Sequence, residues 1–276
     1  MRQVRFDARG SMIRWTEAEA VVQEAGGAAG AEAGAAGTGA GVAATEPIVF
    51  VHGLGASSAA YHAHIAARPE LTGRRILFVD LPGHGLSDRP ADFAYRLTDH
   101  ADALAAVLDA AGVRQGVIAG HSMGGSVAIV LAHHRPDLVG RLVITEGGLD
   151  RVPPHMAGSG AISAFTEKEF VRGGGFARIL DQVGPVWAAT MRLTDPVALH
   201  RTATHRARGT DPVMREMLEQ APMERVYLQG ALSGELPGRT ALEAAGVRVL
   251  TAPDAGHNVM FDNPEFFARA VAGAER

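Results

Sequence analysis

The 276-residue sequence contains no cysteine. That absence excludes a thiolate nucleophile, a cysteine zinc site, an iron–sulfur cluster and a disulfide framework. Lysine is nearly missing too: Lys168 stands alone against 25 arginines. Schiff-base or P-loop chemistry would rest on that one residue, and its setting, Thr166-Glu167-Lys168-Glu169, reads as a solvated helix face. The arginine bias, with abundant Ala and Gly, is a trait of genome composition before it is one of function. There is no excess of positive charge, since 26 Lys and Arg face 30 Asp and Glu. A net charge of -4 argues against a nucleic-acid partner. No apolar run of 18 residues is present to span a bilayer. Arg2, Arg5 and Arg9 are not followed by the apolar segment of a secretory signal. The expectation is a cytoplasmic protein with no membrane partner.

What remains for catalysis is Ser, Thr or Asp as nucleophile, with twelve histidines to serve as bases. The length suits one large α/β domain, which at this size buries about three-quarters of its unfolded surface. Within residues 25–44, 17 of 20 are Ala or Gly. Glycine costs backbone entropy and alanine offers little to pack, so a flexible loop is expected there. Beyond it, short β-rich runs alternate with helical ones. Pro47 to Val51 and Arg75 to Val79 are near-continuous apolar runs, the signature of strands covered on both faces. Leu97 to Ala111 has a helical period stopped by Gly112, and Gly116 to Ala119 is a strand. Gly125 to His134 is a helix and Leu142 to Thr145 the next strand. From Asp150 to Met223 amphipathic helical pieces replace strands, which resume at Val226 to Leu228 and Val247 to Leu250. A helix from Pro264 to Ala272 closes the pattern. Alternating β and α predicts a doubly wound, mostly parallel sheet. The core is assigned to 1–149 and 224–276, and residues 150–223 to a helical lid between strands six and seven.

Gly120-His121-Ser122-Met123-Gly124 follows one predicted strand and opens a predicted helix, which is the context that makes G-x-S-x-G informative. A serine on that sharp turn is strained, and glycines two residues to either side remove the steric conflict. Its hydroxyl then projects above the sheet edge, and the Met123 amide faces a developing oxyanion at the positive end of the helix. His52-Gly53-Leu54-Gly55 follows the strand ending at Val51, where the Leu54 amide supplies a second donor. The base must reach the serine from a loop after the last strand, and His257 fits by position. His121, His133, His134, His200 and His205 fit less well.

These motifs, with Asp80-Leu81-Pro82-Gly83-His84-Gly85-Leu86-Ser87-Asp88 and Ala255-Gly256-His257-Asn258, stand in the order found in α/β-hydrolase fold serine hydrolases. The chain resembles that family, esterases and lactonases in particular, over about residues 46–150 and 224–274. The resemblance implies a cofactor-independent, metal-free triad of Ser122, His257 and an acid, with Leu54 and Met123 as oxyanion donors. It makes His84 and Asp88 scaffold. Many relatives carry the acid just after the seventh strand, where Gly230-Ala231-Leu232-Ser233 stands here without one. Glu146, after the sixth strand, is the favoured acid; Glu235 and Asp254 are the alternatives. The expected reaction is cleavage of a carboxylic ester or lactone through an acyl-enzyme. Thioesterase, C–C bond hydrolase and perhydrolase chemistry share the same triad, and a non-catalytic ligand receptor on this fold is the rival from another class.

The lid supplies Met156, Phe165, Phe170, Phe176, Trp187 and Met191, so an apolar acyl pocket is expected, with Phe165, Trp187 and Met260 chosen as lining residues. Around His200-Arg201 and His205-Arg206-Ala207-Arg208 the lid is basic. A solvated face is the plain reading, and steering of an anionic acyl substrate the sharper one. His62-Ala63-His64 lacks a third metal ligand, and Gly173-Gly174-Gly175 reads as a hinge, not a phosphate loop. Nothing in the sequence specifies an oligomeric state.

Overall fold

The computed structural model describes residues 1–18, 46–151 and 158–274. The 25–44 stretch and Met156 lie outside the described residues. Eight strands form one sheet: β1 (Arg2–Arg5), β2 (Met12–Ala18), β3 (Ile48–Val51), β4 (Ile76–Asp80), β5 (Gly116–His121), β6 (Val139–Thr145), β7 (Glu224–Gly230) and β8 (Arg248–Ala252). Their spatial order is β1-β2-β4-β3-β5-β6-β7-β8. The β1–β2 hairpin adds antiparallel to β4, and every pair from β4 through β8 is parallel.

The apolar runs of β3 and β4 are explained by the period of two. Val49, Val51, Leu77 and Val79 enter the core on one face, and Ile48, Phe50, Ile76 and Phe78 the core on the other. Neither face meets water, so both alternate sets are apolar up to Asp80 at the end of β4, whose buried carboxylate accepts from the Ser58 and Leu86 amides. The first face is covered by α2 (Leu97–Ala110) and α3 (Met123–His134), which follow α1 (Ser58–Ala66) in the chain. α1 covers the opposite face, where Tyr61 and Ile65 join Phe267 and Val271 of the C-terminal helix in the second core.

Between β6 and β7 the described residues hold six helices and no strand: α4 (Ser159–Ser163), α5 (Glu167–Arg172), α6 (Gly175–Gln182), α7 (Pro185–Met191), α8 (Pro196–Arg208) and α9 (Met214–Gln220). Thr166 caps α5 with a capping box shared with Glu169, and Asp195 caps α8 through the Ala198 amide. After β7 come α10 (Arg239–Ala244), α11 (Val259–Asp262) and α12 (Pro264–Ala272). No helix among the described residues is long and apolar enough to cross a membrane.

Candidate active site

Ser122 sits between β5 and α3 with φ 52° and ψ −118°. A side chain at such a φ is strained, and the turn persists because its flanks are locked. A Cβ at Gly124 would overlap the backbone oxygens of Val51 and His52, and one at Gly120 would lie 2.7 Å from the Gly125 Cα. The first turn of α3 therefore presses directly onto the end of β3. Gly124→Ala is expected to destabilise the protein by about 3 kcal/mol or more, because the displaced atoms are backbone. A urea titration checks this; a change under 1 kcal/mol would contradict the packing.

β3 delivers the second loop. The Leu81 amide donates to His52 Nε2 at 3.0 Å, so the proton resides on Nδ1, which donates to the Gly53 carbonyl at 2.7 Å. Burial pushes the His52 imidazole down to about 4, so it stays neutral. The neutral ring staples the Gly53–Leu54 turn from beneath. From above, Trp187 Nε1 of α7 donates to the Leu54 carbonyl at 2.7 Å. Among the described residues neither the Leu54 amide nor the Met123 amide, the first of α3, has a hydrogen-bond partner. Both residues line a cavity of about 450 Å³ together with Ser122.

The end of β6 and the loop after β8 bring Glu146 and His257 together. His257 Nδ1 lies 3.4 Å from Glu146 Oε2. The Gly230 amide, at the end of β7, donates to Glu146 Oε1 at 2.7 Å. Burial works to raise the Glu146 carboxyl, but hydrogen bonds from His257, Gly230 and the Ser233 hydroxyl outweigh it and hold it below the usual carboxylate range. Ser233 lies in the Gly230-Ala231-Leu232-Ser233 stretch that lacks an acid, and its hydroxyl helps hold Glu146 ionised. Glu235 and Asp254 are exposed, and among the described residues neither pairs with His257.

The cavity gathers Ser122, His257, Glu146, Leu54, Met123 and Trp187. Two residues chosen for the pocket lie elsewhere. Phe165 packs on Phe170 with Arg178 over its ring, and its carbonyl accepts from His200 Nε2. Met260 is fully buried in the second core, and its carbonyl accepts from His64 Nε2. Periodicity marks both as apolar, not which side each apolar residue faces. Tyr61, His121, Gly148, Ser159 and Asn258 also line the cavity. Of these, His121 had a local signal. It precedes the serine, and from there its Nε2 donates to the His257 carbonyl at 2.9 Å, tying the nucleophile turn to the histidine loop. His84 is buried and bonded to Pro82, and Asp88 is paired with Arg14, so both stay outside the cavity. Among the described residues no group of three or more His, Asp or Glu is arranged to hold a metal ion.

A family profile described as alpha/beta hydrolase fold matches residues 46–164. The sn-1-specific diacylglycerol lipase ABHD11 of Mus musculus is 40% identical over 99 residues, which are 36% of this chain and 32% of that protein. The 2-hydroxymuconate semialdehyde hydrolase of Pseudomonas sp. (strain CF600) is 37% identical over 99 residues, 36% of this chain and 35% of that protein. The matched segment thus spans about a third of the length of these curated relatives. The solved structure of a thermophilic esterase from Thermogutta terrifontis superposes with a TM-score of 0.71 at 18% identity, covering 99% of this chain and 97% of that one. Strand order, crossover helices and profile agree: the protein has the α/β-hydrolase fold.

Proposed function

We propose that this protein is a serine hydrolase that cleaves a carboxylic ester or lactone. The observation that carries the reading is the Glu146–His257 pair, at 3.4 Å, on the wall of the cavity that Ser122 also lines. Glu146 holds the proton of His257 on Nδ1, which leaves Nε2 as the base. Ser122 Oγ attacks the carbonyl carbon while Nε2 takes the hydroxyl proton, and the carbonyl electrons move onto oxygen. The Leu54 and Met123 amides bind that oxyanion, a contribution of roughly 3 kcal/mol per donor. Collapse expels the alcohol with the proton from Nε2 and leaves an acyl-serine. Water, deprotonated by the same nitrogen, releases the acid and restores the hydroxyl.

A serine, not an aspartate, at the turn separates this chain from alkyl-enzyme chemistry on the same fold. The helical insertion α4 to α9 covers the cavity as a lid, with Trp187 and Ser159 on its inner side. The test is labelling with a fluorophosphonate probe. Native protein is expected to become labelled at Ser122, and Ser122→Ala to lose both label and turnover of a 4-nitrophenyl ester. Absence of label on folded native protein would sink the hydrolase reading.

A further inference from the structure

The basic stretch of α8 divides cleanly. Arg201 is neutralised by Glu167 at 2.9 Å, and Arg208 is exposed to solvent. Arg206 is different: it is 6% exposed and lines the cavity beside Ser122 and Met123. A guanidinium does not shed its charge in a protein, so burying one without an anion leaves a desolvation cost uncompensated. Here Nη1 donates to the Asp150 carbonyl at 2.9 Å. The Asp150 carboxylate is committed to Arg215, through Nε at 3.1 Å and Nη2 at 2.6 Å. The Tyr227 hydroxyl is spent on the Gly147 carbonyl at 2.7 Å. Among the described residues, therefore, no carboxylate pairs with Arg206.

The site is also shaped for this group. A Cβ at Gly148 would overlap the Arg206 guanidinium, so glycine is what leaves room for it. The Gly148 carbonyl accepts from Ser126 Oγ at 3.1 Å, which fixes that floor against the first turns of α3. The remainder of the wall is mostly apolar, with Leu54, Ala56, Met123 and Trp187. The cavity's carboxylate, Glu146, is engaged by His257 and the Gly230 amide, so the cationic fork of Arg206 beside the apolar wall is a recognition element for a ligand that is apolar along its length and anionic at one end.

Resting on the hydrolase reading, we propose that Arg206 binds a carboxylate of the substrate, so that the preferred esters carry an anionic group a short chain away from the scissile carbonyl. Matched esters test this. Mono-4-nitrophenyl glutarate is compared with 4-nitrophenyl valerate for a charge on the acyl side, and carboxymethyl butyrate with propyl butyrate for a charge on the alcohol side. Native enzyme is expected to favour the anionic member of one pair by about tenfold or more in kcat/KM, as a charge-assisted hydrogen bond allows. Arg206→Met should bring that ratio near or below one, and Arg206→Lys should keep part of it. Ratios near one for both pairs in native enzyme overturn the proposal, and that measurement needs no variant to fold. A purely packing role lowers both members of a pair by the same factor in Arg206→Met, and that result also overturns it. Failure of all four esters together with absence of fluorophosphonate labelling would instead remove the hydrolase reading, and this proposal with it.

Discussion

Glu146→Gln is expected to lower kcat on an activated ester by about a thousandfold or more, with little change in KM. The reasoning is one of proton placement. The Gly230 amide donates to Oε1 of Glu146 at 2.7 Å, so a glutamine would keep its carbonyl oxygen there and turn its amino group toward His257. An amino group donates, which makes Nδ1 the acceptor and puts the imidazole proton on Nε2. That nitrogen faces the serine in the proposed mechanism, and protonated it is no longer a base. The charge that stabilises the imidazolium is lost as well. Glu235→Gln, at an exposed position, should stay within about twofold of the native enzyme. Steady-state kinetics on both variants, with thermal melts to show that both are folded, decides the matter. A large loss in Glu235→Gln with full activity in Glu146→Gln would move the acid to the loop after β7.

The second large effect is on stability and comes from histidines that the chemistry does not use as bases. His52, His62, His84 and His100 are fully buried and His121 is 4% exposed. Burial lowers them all, His52 to about 4 and His62 and His84 to about 3, with His100 and His121 well below the ordinary value of 6.5. A depressed pKa means that the unfolded chain takes up protons that the native state refuses. The stabilising contribution is therefore complete above pH 6.5 and drains away as pH falls from there toward the folded values. One unit below 6.5 each such histidine costs between about 1 and 2 kcal/mol, and five together roughly 7 kcal/mol. That is comparable to the whole stability of an ordinary domain, about 5–15 kcal/mol. Urea titrations are expected to show the midpoint falling by half or more between pH 7.5 and 5.5. A midpoint that stays level over that interval would mean that these rings do not remain neutral in the folded protein.

The interior of the sheet was legible because its chemistry is uniform. β3 through β6 lie under helices on both faces, so their centres are apolar, and buried polar groups such as Asp80, His121 and Thr145 sit at the strand ends that lead into loops. The β1–β2 hairpin was not anticipated. Met12–Ala18 contains Arg14 and Glu17, and its outer neighbour Arg2–Arg5 carries an arginine at either end. At a sheet edge one face meets solvent, so charge and strand coexist and the apolar run never forms. Within the site, the motifs located Ser122, Leu54, Met123 and His257 because close packing and strand-to-helix turns leave a trace in sequence. Glu146 was chosen by its place after β6. The folded chain brings its carboxylate to 3.4 Å from His257 Nδ1. Which of the lid's apolar and basic residues face inward was not legible. Phe165, between α4 and α5, turned away, and Arg206 turned in where Arg201 and Arg208 on the same helix did not, because tertiary contacts decide which side of each lid element faces the cavity.

The strand order carries a further consequence. The proposed groups are contributed from β3, β5, β6, the end of β7 and the loop after β8, five neighbours in the sheet. In the chain they run from Leu54 to His257, so strands that span about three-quarters of the sequence must be paired before they meet. A half-folded intermediate with most of its helices formed holds the pieces of the site without the site. On the hydrolase reading, turnover is thus an indicator of complete long-range closure, which spectroscopic helix content reports only in part.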